Sequence, residues 1–149
     1  MPTPFESAQL NLKLFELRQE PLLREARAWF FADFNPESFD ELAVIAGGEM
    51  NSWFRMVLGY WDMAASLVTS GAIDGDAFRA AHSEVYVTFA KVAPYIDELR
   101  VRAKEPLFCK HLEEVVTRAP NYETILATRR AMALSVAKRR RASDSATTA

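Results

Sequence analysis

Apolar residues recur along this chain at helical spacing, and no stretch alternates as a half-buried strand would. Leu10, Leu14 and Leu17, with Phe15 beside them, predict a first helix from Phe5 to about Arg18. Pro21 suits the first turn of a second, where its missing N–H costs nothing. Leu22, Ala26, Trp29 and Phe30 form that helix's stripe, and Phe31 and Phe34 widen it. Those four aromatics sweep roughly 200° of helix surface, more than one core-facing stripe needs. The surplus implies either central burial or a partner, which makes Trp29, Phe31 and Phe34 the candidate interaction surface.

Ser38 and Glu41 are spaced as a capping box and open a short helix that Gly47-Gly48 ends. From about Glu49 to Ser70 the stripe is the clearest in the chain. Trp53, Phe54, Val57, Leu58, Trp61, Ala64, Ala65 and Val68 share one side; Arg55, Gly59, Asp62 and Ser66 lie opposite. Gly71 stands where a left-handed C-terminal cap belongs, and Asp74 is spaced to cap the next start. Phe78, Ala81, Val85, Phe89, Val92, Ile96 and Leu99 keep one face through Pro94, which predicts a single long helix to about Arg102, kinked at Pro94; two separate helices are the alternative. Glu105-Pro106 predicts another helix start, with Leu107, Phe108, Leu112, Val115 and Val116 carried along that helix. Asn121 is a candidate cap for a last helix whose stripe of Ile125, Met132 and Val136 is interrupted by Arg129. The expected architecture is all-α: an antiparallel helical bundle of five to seven helices filling one domain over residues 1–137. Residues 138–149, small and polar after Lys138-Arg139-Arg140-Arg141, are expected to form a basic, disordered tail.

The segment Pro21-Leu22-Leu23-Arg24-Glu25-Ala26-Arg27-Ala28-Trp29 resembles the opening of a bacterial family of small helical proteins, domain of unknown function 4760. The aromatic helix from Trp53 to Val68, the turn Ser70-Gly71-Ala72-Ile73-Asp74 and the run through Tyr95-Ile96 to Arg100 follow in a similar order. The likeness spans roughly Leu14 to Val116. It implies an all-helical fold and supplies no site residues.

Composition narrows the class. At 149 residues and 50% hydrophobic, with five Gly, seven Pro and one Cys, the chain is neither disordered overall nor a disulfide scaffold. Cys109 has no internal partner, and beside Phe108 it reads as an inert, partly buried thiol. The longest uncharged stretch, Met63 to Ile73, falls far short of the ~20 residues a membrane span needs, and Glu6 spoils any secretory leader. A cytoplasmic setting is the expectation.

Catalytic signals are weak. There is no nucleophile elbow, phosphate loop or dinucleotide fingerprint, and neither histidine has the Glu three residues earlier that a di-metal helical site would use. No cofactor and no metal is expected. His82 lies in the arc of Phe78, Tyr86 and Phe89, where a core histidine bonded to a polar neighbour is the ordinary reading. Arg55, Asp62 and His82 form a candidate polar groove; the competing readings are a solvated face, or close helix packing at Gly59 with Asp62 in an ordinary salt bridge. Residues 121–149 hold six basic groups against Glu123 and Asp144, so the tail residues Lys138, Arg139, Arg140 and Arg141 are a candidate weak contact for nucleic acid or an anionic surface. The leading expectation is a non-catalytic helical interaction or scaffold module, able to self-associate as a homodimer. A small-ligand-binding regulator or cryptic enzyme at Arg55/Asp62 is the alternative, and the basic tail is a third.

Overall fold

Short polar side chains set most of the helix starts. Thr3 and Glu6 form a reciprocal capping box ahead of α1 (Pro4–Leu17). The Glu20 carboxylate accepts from the Leu23 N–H to open α2 (Pro21–Ala32). Ser38 caps α3 (Phe39–Gly47) through the Glu41 N–H, and Asp74 caps α5 (Gly75–Ala81) through the Ala77 N–H. Between them runs α4 (Asn51–Thr69), closed by Gly71 at φ +82°, the left-handed position only glycine takes without strain. The remaining helices are α6 (Glu84–Val92), α7 (Ile96–Ala103), α8 (Lys110–Thr117) and α9 (Tyr122–Thr147). The computed structural model describes residues 1–149 as these nine α-helices and one 3-10 turn, with no strand.

The helix count exceeds the five to seven expected, and the excess has local causes. The helix expected to run from Asp74 to Arg102 divides into three. It breaks first at His82 (φ −125°, ψ 57°), and again at Pro94, where the 3-10 turn Ala93–Tyr95 joins α6 to α7. The apolar period survives both breaks because Phe78, Val85, Phe89, Val92 and Ile96 all enter one core. The helix expected at Glu105-Pro106 begins only at Lys110. Residues 105–109 form turns that leave Leu107 exposed while Phe108 packs on Phe54. Arg100 pins this segment, donating from Nε to the Phe108 carbonyl (2.9 Å) and pairing with Glu113 (2.8 Å). Where a disordered tail was expected, α9 continues as helix to Thr147.

α4 is the central element. It packs against α2, α3 and α8, while α9 lies along α6. Trp61, Phe34, Phe78, Leu42, Leu58 and Leu112 are among the largest fully buried side chains. Close packing does not explain Gly59, since a Cβ built there meets nothing within 4 Å.

Candidate binding cleft

The residues proposed for a polar groove do not converge. His82 is buried with its ring between Trp61 and Phe78, and its Nε2 faces Asn11 Oδ1 at 3.2 Å. Burial, reinforced by the nearby Arg18 charge, holds its pKa below the usual histidine value. Its Nδ1 and the Trp61 indole N–H are both buried without partners. Arg55 is exposed on α4, beside a small apolar cavity formed with Phe54, Leu99 and Phe108. Asp62 serves the fold. Its Oδ1 accepts from the N–H of Leu112, the third residue of α8, at 2.9 Å. Cys109, at that helix's N-cap, is left-handed (φ 55°) and makes no capping bond, so the carboxylate from α4 supplies the cap and a negative charge at the positive helix end. Burial, aided by Asp62, pushes the Cys109 thiol well above its ordinary value, which leaves it an inert thiol. Asp62→Ala is expected to cost about 1–2 kcal/mol in urea unfolding, and Asp62→Asn much less. A loss below about 0.5 kcal/mol for the alanine variant would remove this role for Asp62.

The aromatic surface divides as well. Phe34 is fully buried and Trp29 packs against Trp53, Phe30 and Phe34, so only Phe31 of the three stands out, 57% exposed. The basic tail residues Lys138 to Arg141 are exposed and spread around one turn of α9; Arg140 lies 3.5 Å from Asp33.

A different constellation surrounds an open cleft of about 630 Å³, bounded by the end of α1, the outer face of α2, the break between α5 and α6, and α9. Four arginines line it: Arg18, Arg24, Arg27 and Arg129, with Glu84 the one carboxylate among its lining residues. Arg27 grips Glu84 in a two-point fork (Nε 2.9 Å, Nη2 2.5 Å) and donates a third bond to the Arg18 carbonyl at 3.0 Å. The bond to Glu84 raises the Arg27 pKa further, so its charge is permanent. Arg18 lies over the Phe15 ring (4.5 Å) and 3.8 Å from Glu84, with its Nε buried and unpaired. Arg24 and Arg129 are exposed and make no ion pair. One carboxylate among four guanidiniums leaves a net positive field directed at the cleft. Tyr60, whose hydroxyl donates to the Leu14 carbonyl, is close enough to feel Arg18, Arg27 and Glu84; burial pushes its pKa up to about 12, so it stays neutral.

Two of these arginines were visible as a spacing. Arg24, Arg27 and Phe31 fall at i, i+3 and i+7 on α2, one face of the helix. Their meeting with Glu84 and Arg129 is a tertiary event with no local signature. The cleft contains Ser83 next to His82, yet the imidazole is turned inward to Asn11 rather than toward the serine. No group of three or more His, Cys, Asp or Glu is placed to hold a metal ion. No helix is long and apolar enough to cross a membrane.

Fold and cleft together define an all-helical protein with a cationic surface site. A family model described as Domain of unknown function (DUF4760) matches residues 4–119, and the chain belongs to that family. No curated protein and no solved structure matches it. The matched region ends before α9, so Arg129, Met132 and Val136 lie outside it.

Proposed function

We propose that this protein is a non-catalytic helical binding module whose arginine-lined cleft receives a carboxylate or phosphate group carried by its partner. The observation that carries the reading is the convergence of Arg18, Arg24, Arg27 and Arg129 on one open cleft containing a single acidic side chain. Planar guanidinium forks match the geometry of carboxylates and phosphates, and Arg27, held by Glu84, positions the site without being free to collapse onto a ligand. Arg24 and Arg129 supply the uncommitted donors. This keeps the interaction-module role expected from the sequence and moves its seat from the Trp29, Phe31 and Phe34 surface to the opening between α2, α6 and α9, which retains Phe31.

The test is an NMR titration of the full chain with inorganic phosphate and, separately, with citrate. Saturable shifts at the Arg24, Arg27 and Arg129 side-chain N–H groups are expected, weakening as salt is raised. The exposed double variant Arg24→Ala/Arg129→Ala should bind at least about tenfold more weakly, since each lost charged hydrogen bond is worth roughly 1.5–3 kcal/mol before solvent screening. Shifts that never saturate, or binding unchanged in that variant, would end the proposal.

A further inference from the structure

The arginine cleft is continuous with an exposed apolar strip. Phe31, Val87 and Arg129 line both the cleft and a second, shallow cavity completed by Met132, Ala133 and Val136. Each of three helices contributes earlier residues to the charged end and later ones to the apolar end: Arg24 and Arg27 then Phe31 on α2, Glu84 then Val87 on α6, and Arg129 then Met132 and Val136 on α9. Phe31 and Met132 are each 57% exposed and Val136 is 41% exposed, so this surface has no cover within the chain. Its two ends call for different chemistry, and their order along the surface is fixed by three helices at once.

Resting on the anion-binding reading above, we propose that the occupant is an acidic amphipathic helical segment of another protein. Its carboxylates would meet Arg24 and Arg129 beside the Arg27–Glu84 pair, and its apolar side chains would cover Phe31, Met132 and Val136. The charge excess favours an acidic partner. A second copy docked two-fold on the same surface would set its arginines against arginines when the strips run parallel and against the apolar end when they run antiparallel, and neither arrangement supplies the acidic groups, which disfavours self-association here. A nucleic acid would satisfy the guanidiniums and leave the Met132 and Val136 side chains covered by nothing apolar. An alkyl chain would need an enclosed channel, and the strip is open. The seven steps from Arg129 to Val136 span about 10 Å of helix axis. The matching ligand therefore carries acidic and apolar groups about two helical turns apart.

Fluorescence anisotropy on the full chain tests this with a labelled 16-residue helical peptide carrying a Glu pair and, seven residues on, a Leu and a Phe. Binding is expected to fall at least tenfold with Phe31→Ala and with Met132→Ser, with Lys in place of the peptide's Glu pair, and with Ala in place of its Leu and Phe. Phosphate binding should survive Met132→Ser unchanged, since Met132 lies outside the arginine cleft. Phosphate that binds while the peptide does not would overturn the peptide assignment alone; failure of both would overturn the cleft as well. Dodecanoate binding that replaces peptide binding would hand the strip to a lipid-like anion. A dimer in sedimentation that Met132→Glu disperses would hand it to a second copy. Either result would overturn the inference.

Discussion

Phe34→Ala is expected to lower the unfolding free energy by about 3–5 kcal/mol, while Phe31→Ala changes it by about 1 kcal/mol or less. The two residues sit three apart in one aromatic run, and the sequence alone assigns both to a single candidate surface. Phe34 is fully buried, with ring centroids 4.6 Å from Phe30, 5.4 Å from Phe54 and 5.7 Å from Trp29. Truncating it empties a site walled by three other aromatic side chains, and rigid rings on two packed helices cannot all move in to fill it. Phe31 is open to solvent, and its ring meets the Lys91 ammonium at 5.5 Å. Urea denaturation of the two variants, with the denaturant slope checked to be unchanged, separates them. For a domain whose total stability is typically about 5–15 kcal/mol, the larger loss approaches the whole. Equal losses at the two positions would mean that Phe34 is not the core residue described and that Phe31 is no free contact surface.

That contrast shows where reading from sequence works and where it stops. Helical class, the stripe of α4 and several boundaries follow from interactions that close within a few residues. Ser38 and Asp74 reach N–H groups three positions on, and Gly71 takes the backbone angle its neighbours demand. The break at His82 is invisible because α5 and α6 face the same core, so the apolar period continues across it. The late start of α8 is invisible because its cap comes from Asp62, fifty residues earlier. The sequence nominates Asp62 for a polar groove with Arg55, whereas its partner is a backbone N–H on α8 that no spacing rule could nominate. The same holds for the cleft: Arg27 and Glu84 are 57 residues apart, and only the packing of α2 on the start of α6 joins them. The aromatic surplus at and just beyond α2 divides in the structure, since Phe34 and Trp29 turn inward and Phe31 does not.

Lys91 is the second position where a large effect is expected, and nothing in the local pattern marks it. Its residue is 3% exposed, and Nζ donates to the carbonyls of Phe30 and Phe31 at 2.7 Å each. Both belong to the last turn of α2, whose carbonyls have no partners within the helix, so a cation from α6 closes the negative end of α2. Lys91→Met keeps the length and apolar stem but leaves two carbonyls without a donor, one of them in a buried contact, and should cost about 2–3 kcal/mol. The pH dependence provides an independent check. Burial lowers the Lys91 pKa to about 8 against 10.5 for a free lysine, with the Asp33 charge opposing the fall. Between those values the unfolded chain holds the extra proton, so the contribution of Lys91 to stability rises as pH increases from about 8 toward 10.5 and is lost as pH falls back through 8. The neutral amine still has two N–H groups for the two carbonyls. Measured as the difference between the native chain and Lys91→Met, which cancels the titration of every other group, the stability gap should widen through that window. A gap that stays flat or narrows above pH 8 would show that the ammonium is not desolvated where it closes α2.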